Sequence, residues 1–136
     1  MLREKEKGKF RHLGITETSP HDHEQRMLQR AVHDEVWEVV MLGFNMMHQI
    51  ARAEVFPHTI ENEIGTLVMF VVRNIFSRPE RLDAKMRQLA ADGQAPEWLA
   101  KTRNPLGFLI HESGASCVTD AAYRFVRYER GVHVVL

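Results

Sequence analysis

The sequence predicts an all-α fold: a compact helical bundle of about five helices built on a long two-helix hairpin. Two observations carry this prediction. Apolar residues recur every three or four positions through two long segments, and helix-start and helix-stop signals bound the shorter segments that follow them. The ends of the chain are predicted to lie outside the bundle, as an extended N-terminal arm and a short C-terminal tail.

The first predicted helix runs from Pro20 to about Val55. Ser19 can cap its N-terminus, and Pro20 suits the first helical position because the N–H that proline lacks would be unpaired there in any case. One face repeats apolar residues in steps of three and four: Leu28, Val32, Val36, Val39, Gly43, Met47 and Ile50. The polar residues fall on a narrow opposite stripe, so this helix would need cover over most of its circumference.

The second predicted helix runs from Thr59, which can cap it, to about Phe76. Pro57 ends the first helix because the residue before a proline avoids helical angles. Phe70 falls on the polar side of the second helix, where an aromatic ring is out of place. The run TLVMFVV, residues 66–72, is rich in β-branched residues, so a buried strand is the alternative for this stretch.

Local signals predict three further groups of helical residues. Ser77 to Glu80 has the pattern of a capping box, and the helix that it starts ends at Asp92-Gly93. Short helical turns are predicted at residues 96–101 and 104–112. A last helix runs from about Cys117 to Arg130, and the tail VHVVL after it could add a strand edge or dock into a groove.

The length and composition of the chain limit the number of domains and the cell compartments that it fits. Residues 1–18 are predicted to be a flexible charged arm, and residues 19–136 a single helical domain. One cysteine, Cys117, allows no internal disulfide and fits a reducing compartment or one indifferent to redox state. Eighteen basic and 18 acidic residues give a net charge of +0, which argues against general attraction to nucleic acid or membranes. The first residues, MLREKEKGKFRH, lack the apolar segment of a secretory signal, so a cytoplasmic protein is predicted. No apolar run approaches the ~20 residues of a membrane span, so no transmembrane segment is predicted.

One stripe of the first predicted helix is the predicted interface. Trp37, Met41, Phe44 and His48 follow one another in steps of four, three and four, between the apolar face and the polar edge. Together with Phe70 they are predicted to contact a protein partner or a second copy of the chain. The alternative is a pocket for haem or an aromatic ligand, with His48 as axial ligand and Met41 in the lining. No cofactor is predicted.

A second, weaker site is predicted on the last helix. Arginine recurs every three residues beside two tyrosines, and two cations from the preceding segment could lie nearby: Arg124, Arg127, Arg130, Lys101 and Arg103. Arginine interleaved with aromatic residues is typical of nucleic-acid surfaces. The alternative is a solvated helix face, which the neutral charge of the whole chain favours.

The sequence lacks the patterns of a catalytic or metal site. None of the eight histidines has the spacing of a zinc helix or of a di-iron bundle, so no metal is predicted. Cys117 is a weak redox candidate and more simply a small apolar filler. We therefore predict a non-enzymatic protein that acts by association, as a homodimer or as a small subunit of a larger assembly. The alternatives are a nucleic-acid-binding regulator and a small-molecule or haem-binding bundle.

Overall fold

The computed structural model describes residues 1–18 and 21–136. Ser19 and Pro20, the predicted start of the first helix, lie outside the described residues. The described chain divides into two compact units. Unit 1 contains residues 1–71 and 126–136, and unit 2 contains residues 72–125.

Unit 1 is built on a four-stranded sheet in which every strand is parallel to its neighbour. The strands lie side by side in chain order: β1 (Gly14–Thr16), β2 (Val39–Gly43), β3 (Gly65–Met69) and β4 (Val134–Val135). Parallel neighbours need long crossover connections, and helices account for much of these. The helices of unit 1 are α1 (Leu2–Glu6), α2 (Arg26–Ala31), α3 (Ile50–Glu54) and α4 (Phe56–Glu61).

Unit 2 is helical over its described residues. Its elements are α5 (Arg73–Phe76), α6 (Pro79–Ala91), α7 (Glu97–Lys101), a 3-10 turn (Gly107–Leu109) and the first part of α8 (Val118–Arg127). The predicted third helix is confirmed as α6, and it ends as expected at Asp92-Gly93, where Gly93 has φ +68°. The last predicted helix is confirmed as α8, which stops at Arg127 and not at Arg130.

The all-α prediction is wrong, and with it the helical bundle built on a two-helix hairpin. Where one helix is predicted from Pro20 to Val55, the chain forms α2, β2 and α3. The cause is the apolar content of β2: Val40, Leu42 and Gly43 are buried and the other two residues are half-buried. When nearly every position of a strand is apolar, its sequence fits the 3.6-residue period of a helix as well as the alternation of a strand.

The second predicted helix is also wrong, because α4 and β3 occupy most of its length. β3 overlaps residues 66–69 of the segment for which a strand is the alternative, and its β-branched Thr66 and Val68 are fully buried. Pro57 lies in the first turn of α4 and does not end a helix, since the missing N–H is harmless at that position. The tail adds a strand edge, β4, beside β3.

The first residues of the chain are held to β2 by Glu38. Its carboxylate accepts a hydrogen bond from Lys5 Nζ, a second from the Leu13 N–H at 3.0 Å, and lies 3.1 Å from His12 Nδ1. These partners, with the Lys5 ammonium first and the Leu13 N–H second, lower the pKa of Glu38 from 4.5 to about 2. Residues 14–16 of the predicted flexible arm lie in the sheet as β1.

Replacing Glu38 by glutamine is expected to flatten the acid side of the pH–stability profile. A carboxylate with a lowered pKa stabilises the folded state above its unfolded value, here near 4.5, and this contribution is lost as the pH falls toward 2. Thermal unfolding followed by circular dichroism from neutral pH to the acid limit should show a smaller loss of Tm in the variant. Glu112→Gln, at an exposed position of unit 2, is the control. Equal losses in Glu38→Gln and the wild type would contradict the role of Glu38.

None of the helices in the described chain has the length and apolar character that crossing a membrane requires.

Candidate interaction surface

The sheet has one buried face and one open face. Residues that pair side by side point to the same side of a sheet, and the side alternates along each strand. On the buried face, Val40, Leu42, Thr66 and Val68 are all fully buried. The alternate positions form the open face, which comprises Gly14, Thr16, Val39, Met41, Gly43, Gly65, Leu67, Met69 and Val134.

The open face is apolar and remains partly exposed. Its four large side chains on the central strands are half-buried: Val39, Met41, Leu67 and Met69. Val134 on β4 is 44% exposed. Parallel sheets occur almost only with both faces covered, so this half-buried apolar face is the candidate interaction surface.

Two side chains lie over the carboxyl end of the open face, above Gly43. A Cβ atom added to Gly43 would lie 2.9 Å from Glu17 Oε1 and 3.1 Å from Phe70 Cδ2. A side chain at this position would therefore displace the Glu17 carboxylate and push against the Phe70 ring.

A buried polar cluster joins the carboxyl ends of β1 and β2. The Gln25 side chain is fully buried, and its Nε2 donates to Glu17 Oε2 at 2.7 Å and to the Gly43 carbonyl oxygen at 2.8 Å. Glu17 is only 8% exposed. Gln25 also has φ +55°, an uncommon backbone angle for a residue with a side chain. The cluster therefore fixes both the backbone of Gln25 and the position of the Glu17 carboxylate.

Asn45 links the carboxyl ends of β2 and β3. Its Nδ2 donates to the Phe70 carbonyl oxygen at 3.0 Å, and its Oδ1 accepts from the Met47 N–H at 2.9 Å. Phe70 itself has φ +65°, in the left-handed region that residues with a side chain seldom adopt. Sequence reasoning misses Glu17, Gln25 and Asn45. Glu17 and Asn45 come directly or shortly after the ends of β1 and β2, a signal that an all-α interpretation cannot use, and Gln25 has no such signal.

The structure separates the residues of the predicted interface. Met41 lies on the open face, and Phe70 lies over the carboxyl end of that face. Trp37 and His48 flank β2 and are half-buried. Phe44 is fully buried, with its ring 5.2 Å from that of Phe56 in an edge-to-face contact. The stripe is not a helix face, because residues 39–43 form a strand.

The five cations of the predicted nucleic-acid surface are exposed and lie in both units. Lys101, Arg103 and Arg124 belong to unit 2, and Arg127 and Arg130 belong to unit 1. Two of them bind carboxylates on their own helices: Lys101 Nζ donates to Glu97 at 2.7 Å, and Arg124 Nε donates to Asp120 at 2.9 Å. Nucleic-acid binding stays a prediction.

A cavity of about 530 Å³ lies near the amino ends of β2 and β3, away from the polar cluster. Its lining includes Trp37, whose Nε1 is buried without a hydrogen-bond partner in the described chain. The rings of His33 and His58, also in the lining, are 4.5 Å apart. His48, the axial ligand in the haem alternative, does not line this cavity.

The described residues hold no group of three or more His, Cys, Asp or Glu side chains that could bind a metal ion. Cys117 is exposed, and its Sγ accepts the Asp120 N–H at 3.4 Å at the start of α8. No protein-family model, no curated protein and no solved structure matches the chain.

Proposed function

We propose that the protein acts by association, as a homodimer in which the open face of one copy meets the open face of the second. The observation that carries this proposal is the half-exposed apolar face of a parallel sheet, a kind of sheet that normally has both faces covered. A second copy brings an apolar surface of the same kind. The net charge of +0 means that two copies do not repel each other overall.

The chemistry of the open face favours a permanent partner over a transient one. Its members are apolar side chains, glycines or Thr16, and the carboxylate that lies over its carboxyl end, Glu17, is 8% exposed and accepts a hydrogen bond from Gln25. Depletion of charge at the centre of a patch is typical of protein interfaces. Covering each 100 Å² of this apolar surface contributes about 2.5 kcal/mol before the cost of association is subtracted.

An aspartate on the open face is expected to separate the two copies. In Met41→Asp and in Leu67→Asp, the two-fold symmetry of a homodimer would place two carboxylates in a dry apolar contact, raising the dissociation constant by about 100-fold or more. Sedimentation equilibrium at micromolar concentration measures the mass. The wild type should sediment as a dimer and both variants as monomers with an unchanged circular dichroism spectrum.

The matched control for these variants is Tyr128→Asp, which places the same charge at a side chain that is 83% exposed and is not part of the open face. It should remain dimeric. A monomeric wild type, or dimers of unchanged affinity in both open-face variants, would overturn the proposal.

We propose a non-enzymatic role in the cytoplasm, where a reducing environment would keep the exposed Cys117 as a free thiol. Association has more support than the two alternatives. Two of the five cations, Lys101 and Arg124, are paired with carboxylates on their own helices, and His48 does not line the cavity that Trp37 lines.

A further inference from the structure

We propose that a cavity in unit 2 binds a small zwitterion with an apolar body, the chemistry that free apolar amino acids and short apolar peptides share. The cavity has a volume of about 510 Å³, within the range of about 300–1,000 Å³ that is usual for small-molecule sites. All of its lining residues belong to unit 2, whereas the open face belongs to unit 1. This inference is therefore independent of the proposed homodimer.

Much of the cavity lining is apolar. Phe76 at the end of α5 and Leu82 in α6 are buried, and Val118 at the start of α8 is half-buried. Ile110 is 37% exposed, so a ligand in the cavity would remove part of this side chain from water. The lining therefore favours a ligand with an apolar body.

The lining also carries one cation and one anion, Arg103 and Asp83. Neither side chain forms a hydrogen bond or an ion pair with another residue in the part of the chain that the structure describes. The charges beside them at the start of α8 are different, because Arg124 Nε donates to Asp120 at 2.9 Å. Two opposite charges in the cavity are therefore left for a ligand.

A ligand with one anionic and one cationic group satisfies both side chains at once. The Arg103 guanidinium can hold a carboxylate through two parallel N–H···O bonds, and the Asp83 carboxylate can accept hydrogen bonds from an ammonium group. An apolar acid without an ammonium group would leave Asp83 unpaired, and an apolar amine without a carboxylate would leave Arg103 unpaired. The charges therefore favour a zwitterion over either single ion.

The backbone of unit 2 sets the position of both charges. Asp83 lies in α6, next to the buried Leu82. Arg103 follows the end of α7, directly before a turn in which the Gly107 N–H donates to the Asn104 carbonyl oxygen at 2.9 Å. A site whose charges stand on ordered elements needs less ordering when its ligand binds.

Cys117 reports whether the cavity is occupied, because it belongs to the lining and is the single cysteine of the chain. Its thiol is exposed and can react with iodoacetamide. L-phenylalanine is the first probe, and it should slow the alkylation of Cys117, which the mass of the intact protein follows over time. Glycine has the same two charged groups without the apolar body and should give no protection at the same concentration.

Removing charges from the protein and from the ligand assigns the two contacts. Arg103→Gln and Asp83→Asn should each raise the dissociation constant of L-phenylalanine about tenfold or more, measured by calorimetry and by protection of Cys117. Arg103→Gln should have little effect on L-phenylalaninamide, which lacks the carboxylate. Asp83→Asn should have little effect on N-acetyl-L-phenylalanine, which lacks the ammonium group.

The matched controls are Arg87→Gln and Asp92→Asn, which make the same chemical changes at exposed positions of unit 2 outside the lining. Both should bind L-phenylalanine as the wild type does.

A dipeptide distinguishes the two sources of the ligand. In L-phenylalanine both charged groups are attached to one carbon atom, whereas in L-phenylalanyl-L-leucine they are further apart by up to about 3.8 Å. Stronger protection of Cys117 by the amino acid assigns a free amino acid, and stronger protection by the dipeptide assigns a short peptide. Either result supports the zwitterion site.

Three results would overturn the proposal. The first is an alkylation rate of Cys117 that neither L-phenylalanine nor the dipeptide changes at about 10 mM, above the millimolar range of weak binding. The second is binding of L-phenylalanine that Arg103→Gln and Asp83→Asn leave unchanged. The third needs no variant: L-phenylalaninamide and N-acetyl-L-phenylalanine would both bind the wild type as tightly as L-phenylalanine does.

Discussion

Replacing Phe44 by alanine is expected to lower the free energy of unfolding by about 3–5 kcal/mol. The Phe44 side chain is fully buried, packs edge to face on Phe56 with ring centroids 5.2 Å apart, and lies 5.4 Å beneath the Arg52 guanidinium carbon. The substitution removes this packing and leaves a cavity that the surrounding β2 and α4 segments can fill only in part. Urea unfolding followed by fluorescence or circular dichroism measures the change.

The same variant tests whether the Phe44 side chain stabilises the folded chain or contacts a partner. Tyr128→Ala, at a side chain that is 83% exposed, should change stability by less than about 0.5 kcal/mol. A Phe44→Ala variant that unfolds at the urea concentration of the wild type, and loses only its self-association, would contradict the buried position and restore the interface predicted from the sequence.

Replacing Gln25 by leucine is expected to cost about 2–4 kcal/mol. Leucine is similar in size and apolar, but it removes the donor that binds both Glu17 Oε2 and the Gly43 carbonyl oxygen. The carboxylate of Glu17, which is only 8% exposed, would then have no partner from residue 25. Gln94→Leu, at an exposed position in unit 2, makes the same chemical change without this burial and should be nearly neutral.

A double-mutant cycle tests whether this loss of stability comes from the contact between Gln25 and Glu17. Glu17→Leu combined with Gln25→Leu replaces both polar partners by apolar groups. The double variant should lose less free energy of unfolding than the two single variants lose together, by about 1 kcal/mol or more. Additive losses would mean that the two side chains act independently and that the cluster does not stabilise the carboxyl ends of β1 and β2.

Local signals in the sequence predict part of the fold. The helix that ends at Gly93 and the helix after Cys117 depend on short-range patterns, and both form. β2 and β3 are different, because a strand in a parallel sheet is stabilised by partners far away in the chain. The apolar content of residues 37–50 signals burial correctly, but periodicity cannot tell a strand from a helix there.

The candidate site is predicted only in outline. Met41 and Phe70 are identified as residues that need cover, and both lie at the open face. The prediction places them on an apolar stripe of a helix, whereas in the structure they lie at an apolar face of a sheet. Gln25 and Glu17 come together only when β1 pairs with β2, so no spacing in the sequence reveals their contact.

The separation of β3 from β4 along the chain affects the order of folding. Leu67 pairs with Val134, and the whole of unit 2 is synthesised between them. Contacts between residues so far apart form late because a long loop must close first. During synthesis on the ribosome, one side of β3 therefore stays unpaired until the last residues of β4 emerge, and nascent chains are most vulnerable to aggregation in that interval.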